Sequence, residues 1–215
     1  MFYKRNTTKN RNWTTREFSE LLNESATENK RMLEVGCGVG NLIFPLIETQ
    51  SNSYFIYACD FSPRAIDFVK SNELYDEKKM LAFQCDITTG NIFNSIEKES
   101  LDIITMVFVL SAVHPDKFKF VVDLLYQLLK PGGVVLFRDY GLHDMAQLRF
   151  KPGNKICDNF YVRQDLTRSF FFSTDITIAL FQDAGFEIDS NSYVYRRTVN
   201  PKEQLDVERK FNFNK

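Results

Sequence analysis

No stretch of this sequence is apolar for long enough to cross a bilayer, although 44% of its 215 residues are hydrophobic. A membrane-spanning helix needs about 20 consecutive apolar residues. The first residues also lack the apolar segment of a signal peptide. We therefore expect a globular protein with a substantial core and no membrane contact, working in the cytoplasm with the nucleus as a second compartment.

The spacings typical of metal centres and redox motifs are missing as well. The four cysteines form no C-x-x-C pair, and the chain has only two histidines. Cys37, Cys59 and Cys85 all fall near the predicted carboxyl ends of strands, so they could gather around one crevice. We expect them to be free thiols beside a cofactor and predict no metal site, because no further ligand stands at a useful spacing.

An excess of positive charge is also absent, since the net charge is −1. This argues against a protein that binds nucleic acid alone and without specificity. It leaves room for a local basic patch, because the distribution of charge matters more than the total.

One dense motif stands out, in residues 32–41. A short apolar run ends in Glu34, and glycines follow at alternate positions, Gly36, Gly38 and Gly40. A dinucleotide fingerprint would place its third glycine at position 41, where the chain has Asn41. The pattern E-x-G-x-G-x-G resembles the first motif of Rossmann-like S-adenosylmethionine-dependent methyltransferases. An ordinary tight turn is the alternative for a glycine cluster taken alone.

Two further predicted strands also end in an acid. Asp60 follows the buried run 54–59, and Asp86 follows the run 80–85. A carboxylate at the end of the second strand can accept hydrogen bonds from ribose hydroxyls. Asp86 could accept from an adenine amino group while Ile87 packs on the ring. A single acid after a strand is usually a turn former, but three at successive strand ends favour a binding site.

The rest of the chain alternates in the same way. A fourth apolar strand over 101–110, a helix beyond Pro115, the turn 130–133 and a fifth strand over 134–140 also resemble the methyltransferase pattern. Residues 159–163 and 168–172 predict a hairpin, and 187–199 with 207–213 predict the last strand pair. The fold class expected is α/β: a mostly parallel seven-stranded sheet with an antiparallel strand and helices on both faces. Residues 1–31 are expected to form an arm or lid, and 32–215 the catalytic domain.

The acceptor motifs of two methyltransferase classes are missing. There is no D/N-P-P-Y/F for an exocyclic amino group and no Pro-Cys nucleophile for pyrimidine carbon 5. A ring nitrogen with a free lone pair needs neither device.

The resemblance becomes specific over six tracts. Residues 2–6, 13–18, 58–66, 108–117, 136–141 and 159–165 resemble the methyltransferase-like family that makes 3-methylcytidine in tRNA. Residues 161–165 with 167–169 are most similar to members acting on serine tRNAs. The resemblance implies S-adenosylmethionine as cofactor, S-adenosylhomocysteine as product, a cytidine of the anticodon loop as acceptor, and seryl-tRNA synthetase as the partner that presents the tRNA. We expect a monomer when the protein is alone.

The resemblance also implies site residues. Together with the acid and glycines of the first motif, the expected cofactor-binding residues are Tyr3, Glu34, Gly36, Gly38, Asp60, Asp86, Ile87 and Val107. The candidates for RNA contacts are Trp13, Arg138, Tyr161, Arg163 and Arg168. Solvated surface arginines are the alternative for the last group.

Asp139 is the candidate catalytic residue, because methylation makes the cytosine ring cationic and a nearby carboxylate would stabilise that charge. A carboxylate paired with Arg138, or one that caps a turn, is the alternative for Asp139.

The sequence departs from the family ahead of Phe2, where the family has an extension, and between Asn6 and Trp13, where it carries a longer loop. We therefore expect cofactor binding to survive better than catalysis. A methyltransferase for a small molecule or a protein, and a cofactor-binding subunit impaired in catalysis, are the alternative functions.

Overall fold

The computed structural model describes residues 18–21, 29–49, 54–200 and 205–214. Strands alternate with helices through the first two thirds of the chain, as the apolar runs and their polar separators predict. The strands are β1 Lys30–Val35, β2 Tyr54–Asp60, β3 Met80–Gln84, β4 Leu101–Val107, β5 Leu129–Tyr140, β6 Lys155–Cys157, β7 Phe160–Val162, β8 Arg168–Phe170, β9 Asn191–Asn200 and β10 Leu205–Asn214. The helices are α1 Ile43–Thr49, α2 Pro63–Lys70, α3 Phe118–Leu128, α4 Met145–Leu148 and α5 Thr174–Gln182.

Seven of these strands form one sheet in the order β3-β2-β1-β4-β5-β10-β9. Neighbours among β1 to β5 pair in parallel, whereas β10 pairs antiparallel with both β5 and β9. The predicted mostly parallel sheet with an inserted antiparallel strand is confirmed. The order reverses between β1 and β4, and ligands of open α/β sheets bind at the carboxyl ends of strands beside such a point.

Helices cover both faces of the sheet, and side chains alternate between the two cores. Met32 of β1 packs with buried residues of α1 and α2, whereas its neighbour Leu33 packs with those of α3 and α5. Because both faces are covered, the sequences of the central strands are nearly continuous apolar runs.

The predicted helix starts are confirmed at two serines. The Ser62 side chain accepts a hydrogen bond from the N–H of Ala65 at 3.3 Å, ahead of Pro63. The Ser173 side chain accepts from the N–H of Ile176 at 3.2 Å, which caps α5. Each serine thereby satisfies an N–H that the first helical turn leaves without a partner.

The fifth strand begins earlier than the sequence predicts. Leu101 pairs with Leu129, and the next pair is Ile103 with Val134, so residues 130–133 bulge out of the ladder. The bulge contains Pro131, which has no N–H to donate, and Gly132 with a φ of +79°. The turn predicted at 130–133 is therefore present, but as a bulge within β5 rather than ahead of it.

A second, three-stranded sheet has the order β6-β7-β8. The predicted hairpin over 159–163 and 168–172 is confirmed as β7 and β8, with Phe160 opposite Phe170. Strand β6 was not predicted from the sequence, because it is only three residues long and exposed throughout.

The described part of the predicted N-terminal arm joins the core. Phe18 and Leu21 are completely buried and pack with residues of β1, α1 and α2. The Tyr54 hydroxyl donates to the carbonyl of Leu21 at 3.2 Å. Strand β1 already begins at Lys30, so the predicted boundary between 31 and 32 falls inside a strand. None of the described helices is long and apolar enough to cross a membrane.

The tip of the β7–β8 hairpin offers a test of backbone strain. Leu166 has a φ of +66° and is 83% exposed, so it occupies a glycine-like conformation with little packing in return. We expect Leu166→Gly to raise the free energy of unfolding by about 0.5–1 kcal/mol, measured by urea denaturation. Leu148→Gly is the control, since Leu148 is 63% exposed in α4 and should lose about as much. A loss of stability in both variants would contradict this account.

Candidate functional site

The glycine turn after β1 lies against the end of β2. Gly36 has a φ of +69°, and a Cβ there would stand 2.3 Å from the Val109 Cγ2. Only glycine combines that backbone conformation with that close approach. The N–H of Cys37 donates to the carbonyl of Cys59 at 3.0 Å, and the N–H of Gly38 donates to the Asp60 Oδ2 at 2.9 Å. The turn is therefore held by the strand that carries the second acid.

The Asp60 carboxylate is fixed by two backbone groups. Its Oδ2 accepts from Gly38, and its Oδ1 accepts from the N–H of Ser62 at 2.8 Å. A carboxylate has about four acceptor positions, so each oxygen can accept a further bond from a ligand. These two bonds set the orientation of the carboxylate before any ligand arrives.

Asp86 is fixed in a similar way after β3. Its Oδ1 accepts from the N–H of Thr88 at 2.9 Å and from the hydroxyl of the same residue at 2.7 Å. This is the turn-forming role that a lone acid after a strand often has. The carboxylate nonetheless lines the same cavity as Asp60.

That cavity has a volume of about 400 Å³ and lies at the carboxyl ends of β1 to β4. It contains five of the residues that the sequence predicts for ligand contacts: Gly36, Asp60, Asp86, Ile87 and Arg168. It also contains Cys59 and Cys85, two of the three cysteines expected beside a cofactor, whereas Cys37 is not part of its lining. The other lining residues were not predicted for the site: Val35, Phe61, Thr88, Phe108, Val109, Ala112 and Val113. Two acids predicted from different strands therefore share one cleft.

Glu34, Gly38 and Val107 do not line the cavity, although each is close to it in sequence. Glu34 is 6% exposed. Burial raises the pKa of the Cys37 thiol, and the carboxylates of Glu34 and Asp60 raise it further. Glu34 is therefore close enough to the glycine turn for its charge to act on Cys37.

The hydrogen-bonding groups of the cavity match those of an adenosyl ligand. Ribose hydroxyls and an adenine amino group are donors, and Asp60 and Asp86 offer carboxylate acceptors. Ile87 and Val113 are buried apolar residues of the lining that can pack on a ring. The missing Cβ of Gly36 leaves room for close approach to the backbone.

Phe108 forms the wall of the cavity after β4 in an uncommon backbone conformation. Its φ is +59°, and its N–H donates to the carbonyl of Arg138 at 2.8 Å. Its ring packs against Tyr140 with centroids 5.0 Å apart and against Phe211 at 5.3 Å. Strain of this kind in a bulky residue tends to persist only where the surroundings enforce it. Nothing in the sequence signals it, because it depends on the packing of β5 and β10.

Asp139 is completely buried beneath the turn that follows β4. One carboxylate oxygen accepts from the N–H of Ser111 and the other from the N–H of Tyr140, each at 2.9 Å. Burial raises the pKa of Asp139 to about 6, while these hydrogen bonds and the charge of Arg163 oppose the rise. The carboxylate does cap a turn, as the alternative interpretation has it, and Ser111 lies between cavity residues Val109 and Ala112.

Arg138 and Asp139 alternate along β5 and so occupy opposite faces. The Arg138 guanidinium carbon is 4.6 Å from the centroid of the Phe211 ring, and the side chain is only 4% exposed. In this structure Arg138 is therefore not a surface residue.

Three other predicted RNA-binding residues lie on β7, β8 and the turn between them. The Arg163 guanidinium donates to the Ser169 hydroxyl at 2.8 Å and stands 4.9 Å from the Tyr140 ring centroid. Arg168 is exposed and reaches the cavity. Tyr161 stacks on Phe150, with ring centroids 4.8 Å apart and an interplanar angle of 12°.

Tyr3, Trp13 and most of the predicted arm lie outside the described residues. Within the part of the chain that the structure describes, no group of three or more histidine, cysteine, aspartate or glutamate side chains is arranged to hold a metal ion.

The amino-acid sequence of this chain is similar to those of known methyltransferases. A family described as a methyltransferase domain matches residues 33–135. Human tRNA N(3)-cytidine methyltransferase METTL6 is 55% identical, and the match covers 98% of this chain and 76% of the human protein. O-methyltransferase 3 of Dictyostelium discoideum is 46% identical over 93% of this chain, but over only 46% of its own length.

Among solved structures, a SAM-dependent methyltransferase from Methanosarcina mazei has a TM-score of 0.66 at 17% identity. The match covers 87% of this chain and 92% of that one. Likeness at this level of identity reports the fold alone.

Proposed function

Because the chain belongs to the family of tRNA N(3)-cytidine methyltransferases, and is therefore a SAM-dependent methyltransferase, we propose that it methylates N3 of a cytidine in the tRNA anticodon loop. The observation that carries this proposal is the cavity where the Asp60 and Asp86 carboxylates meet Arg168. Acceptors for an adenosyl group thus share one cavity with a cation suited to an RNA phosphate.

When bound, S-adenosylmethionine supplies an electrophilic methyl group on a sulfonium. The acceptor atom, cytidine N3, carries a free lone pair, so we propose that the chain supplies no general base. Alignment of the two reactants then provides much of the rate. The cytidine must be flipped out of its loop, because a stacked and folded anticodon loop does not present N3 to a buried cavity.

We propose that Asp60 and Asp86 orient the adenosyl group. Both carboxylates are already held by backbone N–H groups, so ligand hydroxyls or amino groups meet acceptors that need no rearrangement. We propose that the same site is shaped by Gly36, Gly38, Ile87 and Val107, together with Glu34 and with Tyr3 from the segment outside the described residues.

Asp139 is proposed as a positioning residue rather than one that touches the acceptor. Its carboxylate holds the N–H of Ser111, and Ser111 sits in the turn that supplies Ala112 and Val113 to the cavity.

Arg168, Arg163 and Tyr161 are proposed to contact RNA, with Trp13 from the segment outside the described residues. Arg168 carries the clearest expectation because it is exposed at the cavity. Arg138 is instead proposed to have a structural role, because its guanidinium packs on Phe211 and Phe108 and so supports the cavity wall that Phe108 forms.

We expect Arg168→Ala to weaken tRNA binding and to reduce the slope of log binding constant against log salt concentration by about 1, as the loss of one phosphate contact requires. Binding of S-adenosylhomocysteine, measured in parallel, separates this effect from damage to the cofactor cavity. Lys98→Ala is the matched control, because Lys98 is exposed just before β4 begins, whereas the cavity lies at the carboxyl ends of the strands. Equal salt slopes for Arg168→Ala and the unaltered protein would remove Arg168 from the RNA interface.

The proposal extends to the partner and the compartment. Serine tRNAs are the proposed substrates, and seryl-tRNA synthetase is proposed to present them, since the net charge of −1 gives this chain little general affinity for RNA. We propose that the chain is monomeric alone and works in the cytoplasm, with the nucleus as a second compartment, in line with its four free cysteines.

The test is incubation of the purified protein with labelled S-adenosylmethionine and serine tRNA transcripts, with and without seryl-tRNA synthetase. We expect label at one anticodon-loop cytidine and none after that cytidine is changed to uridine. Label on a small hydroxylated acceptor instead would favour the function named for the Dictyostelium relative. Cofactor binding without any transfer would identify an impaired binding subunit.

A further inference from the structure

Two cysteines occupy equivalent places on neighbouring strands. Cys59 precedes Asp60 at the end of β2, and Cys85 precedes Asp86 just beyond the end of β3. Both residues line the cavity between Asp60 and Asp86, and they are 1% and 7% exposed. The same two-residue sequence, Cys-Asp, therefore supplies a thiol and a carboxylate from each strand.

The backbone holds these two cysteines together. Strands β2 and β3 are paired in register up to Asp60 and Gln84. One residue further, the N–H of Cys85 donates to the carbonyl of Asp60 at 2.9 Å. This bond continues the ladder past the strand end, so Cys85 cannot swing away from β2 without breaking it.

The two thiols interact directly and are not equivalent. A hydrogen bond from Cys59 lowers the pKa of the Cys85 thiol below its usual value. The same bond, together with burial, raises the pKa of Cys59 well above its usual value, and Cys37 nearby adds to the rise. Cys85 is therefore the better nucleophile of the pair and Cys59 the proton donor beside it.

We propose that Cys59 and Cys85 form a reversible disulfide inside the cofactor cavity when the protein meets a hydroperoxide, and that this bond prevents binding of the adenosyl cofactor. The proposal concerns the cavity and its thiols, so it does not depend on which acceptor is methylated.

The chemistry balances with hydrogen peroxide as the oxidant. The Cys85 thiolate attacks one peroxide oxygen, the O–O bond breaks, and a sulfenic acid forms while the departing hydroxide takes up a proton as water. The Cys59 sulfur then attacks the sulfenic sulfur and loses its proton to the departing hydroxide, giving the disulfide and a second water. Each thiol is oxidised by one electron, and the peroxide is reduced by two.

The consequence for binding follows from the neighbours of the two sulfurs. A covalent bond between them draws together the backbones that carry Asp60 and Asp86. Those carboxylates are the proposed anchors for ribose and adenine, and their orientation is set by short bonds to Gly38, Ser62 and Thr88. A shift of the two backbones would therefore move both carboxylates out of the positions that these bonds set.

The test treats the full chain with hydrogen peroxide, blocks the remaining thiols with iodoacetamide, digests the protein and identifies linked peptides by mass. We expect a Cys59–Cys85 peptide that is lighter by two hydrogens than its parts, and a loss of S-adenosylhomocysteine affinity of about tenfold or more in calorimetry. Dithiothreitol should restore the affinity. Prior saturation with S-adenosylhomocysteine should suppress the linkage, because the ligand fills the cavity that the peroxide must enter.

Single variants distinguish this pair from the other thiols. For each variant, the affinity for S-adenosylhomocysteine is measured before and after peroxide treatment. Cys85→Ser should lose the peroxide response, whereas Cys157→Ser should keep it, because Cys157 is exposed and outside the cavity. A linked peptide of Cys37 with Cys59, oxidation of Cys85 to a sulfinic acid without linkage, or a disulfide that leaves affinity unchanged would each overturn the proposal.

Discussion

Gly36→Ala should cost both folding stability and cofactor affinity. Its φ of +69° lies in the left-handed region, which alanine rarely adopts, and the Cβ of alanine would stand 2.3 Å from the Val109 Cγ2. The backbone conformation costs about 1 kcal/mol and the overpacking about 1–3 kcal/mol more. We expect the free energy of unfolding in urea to fall by about 2–4 kcal/mol and binding of S-adenosylhomocysteine to weaken by about tenfold or more.

Two comparisons separate the clash from the backbone strain. Gly132 has a φ of +79° in the β5 bulge, and a Cβ there would meet nothing within 4 Å. Gly132→Ala should therefore lose about 1 kcal/mol of stability and keep its cofactor affinity. The double variant Gly36→Ala/Val109→Ala removes the colliding methyl group and should recover part of the stability that Gly36→Ala loses. No recovery, or an equal loss of affinity in Gly132→Ala, would show that the approach of Val109 to Gly36 is not what the site requires.

The sequence predicted the part of this site that comes from strand ends. Glu34, Asp60 and Asp86 follow apolar runs, and parallel strands bring their carboxyl ends to one edge of the sheet. Two of the three acids line the cavity, and the third, Glu34, is close enough to the glycine turn for its charge to act on Cys37. The seven-stranded sheet was expected from the resemblance to a fold class, but its strand order was not predicted, since periodicity alone does not say which strands are neighbours.

Most of the cavity residues that the sequence did not predict come from the segment after β4. Val109, Ala112 and Val113 line the cavity because a short turn folds them back over the end of the sheet. That turn is fixed by the buried carboxylate of Asp139, a contact between residues 28 apart in sequence. Local pattern carries no information about such a contact.

Strand alternation explains the different places of two adjacent candidates. Arg138 and Asp139 looked equally available for RNA and catalysis, but successive side chains of a strand point to opposite faces. Arg138 packs on Phe211 of β10, and the sequence gives no sign that this antiparallel strand lies beside β5. The arginines of β7, β8 and their turn, by contrast, lie in the hairpin that the sequence predicted over 159–163 and 168–172.

Replacement of Asp139 should change how stability depends on pH. Its pKa is about 6 in the folded protein and 3.8 in an unfolded chain, because burial disfavours the charged form. The folded state therefore binds the proton more tightly, and the stabilisation this gives is complete below pH 3.8 and lost as pH rises to about 6. The difference corresponds to about 3 kcal/mol. Asp139→Asn cannot titrate, so relative to the unaltered protein it should gain up to about 3 kcal/mol between pH 4 and pH 7.

Asp165→Asn is the control of opposite sign. Hydrogen bonds from Thr167 lower the pKa of Asp165, so that carboxylate stabilises the fold above its unfolded pKa and the contribution is lost as pH falls. Urea denaturation at several pH values should therefore show the two variants diverging from the unaltered protein in opposite directions. For Asp139→Asn we also expect a fall in kcat with little change in S-adenosylhomocysteine affinity, because the turn at Ser111 loses one of its anchors while Asp60 and Asp86 keep theirs. Parallel stability curves for Asp139→Asn and the unaltered protein would show that the buried carboxylate does not titrate near pH 6. Full turnover in Asp139→Asn would show that Asp139 is not a positioning residue.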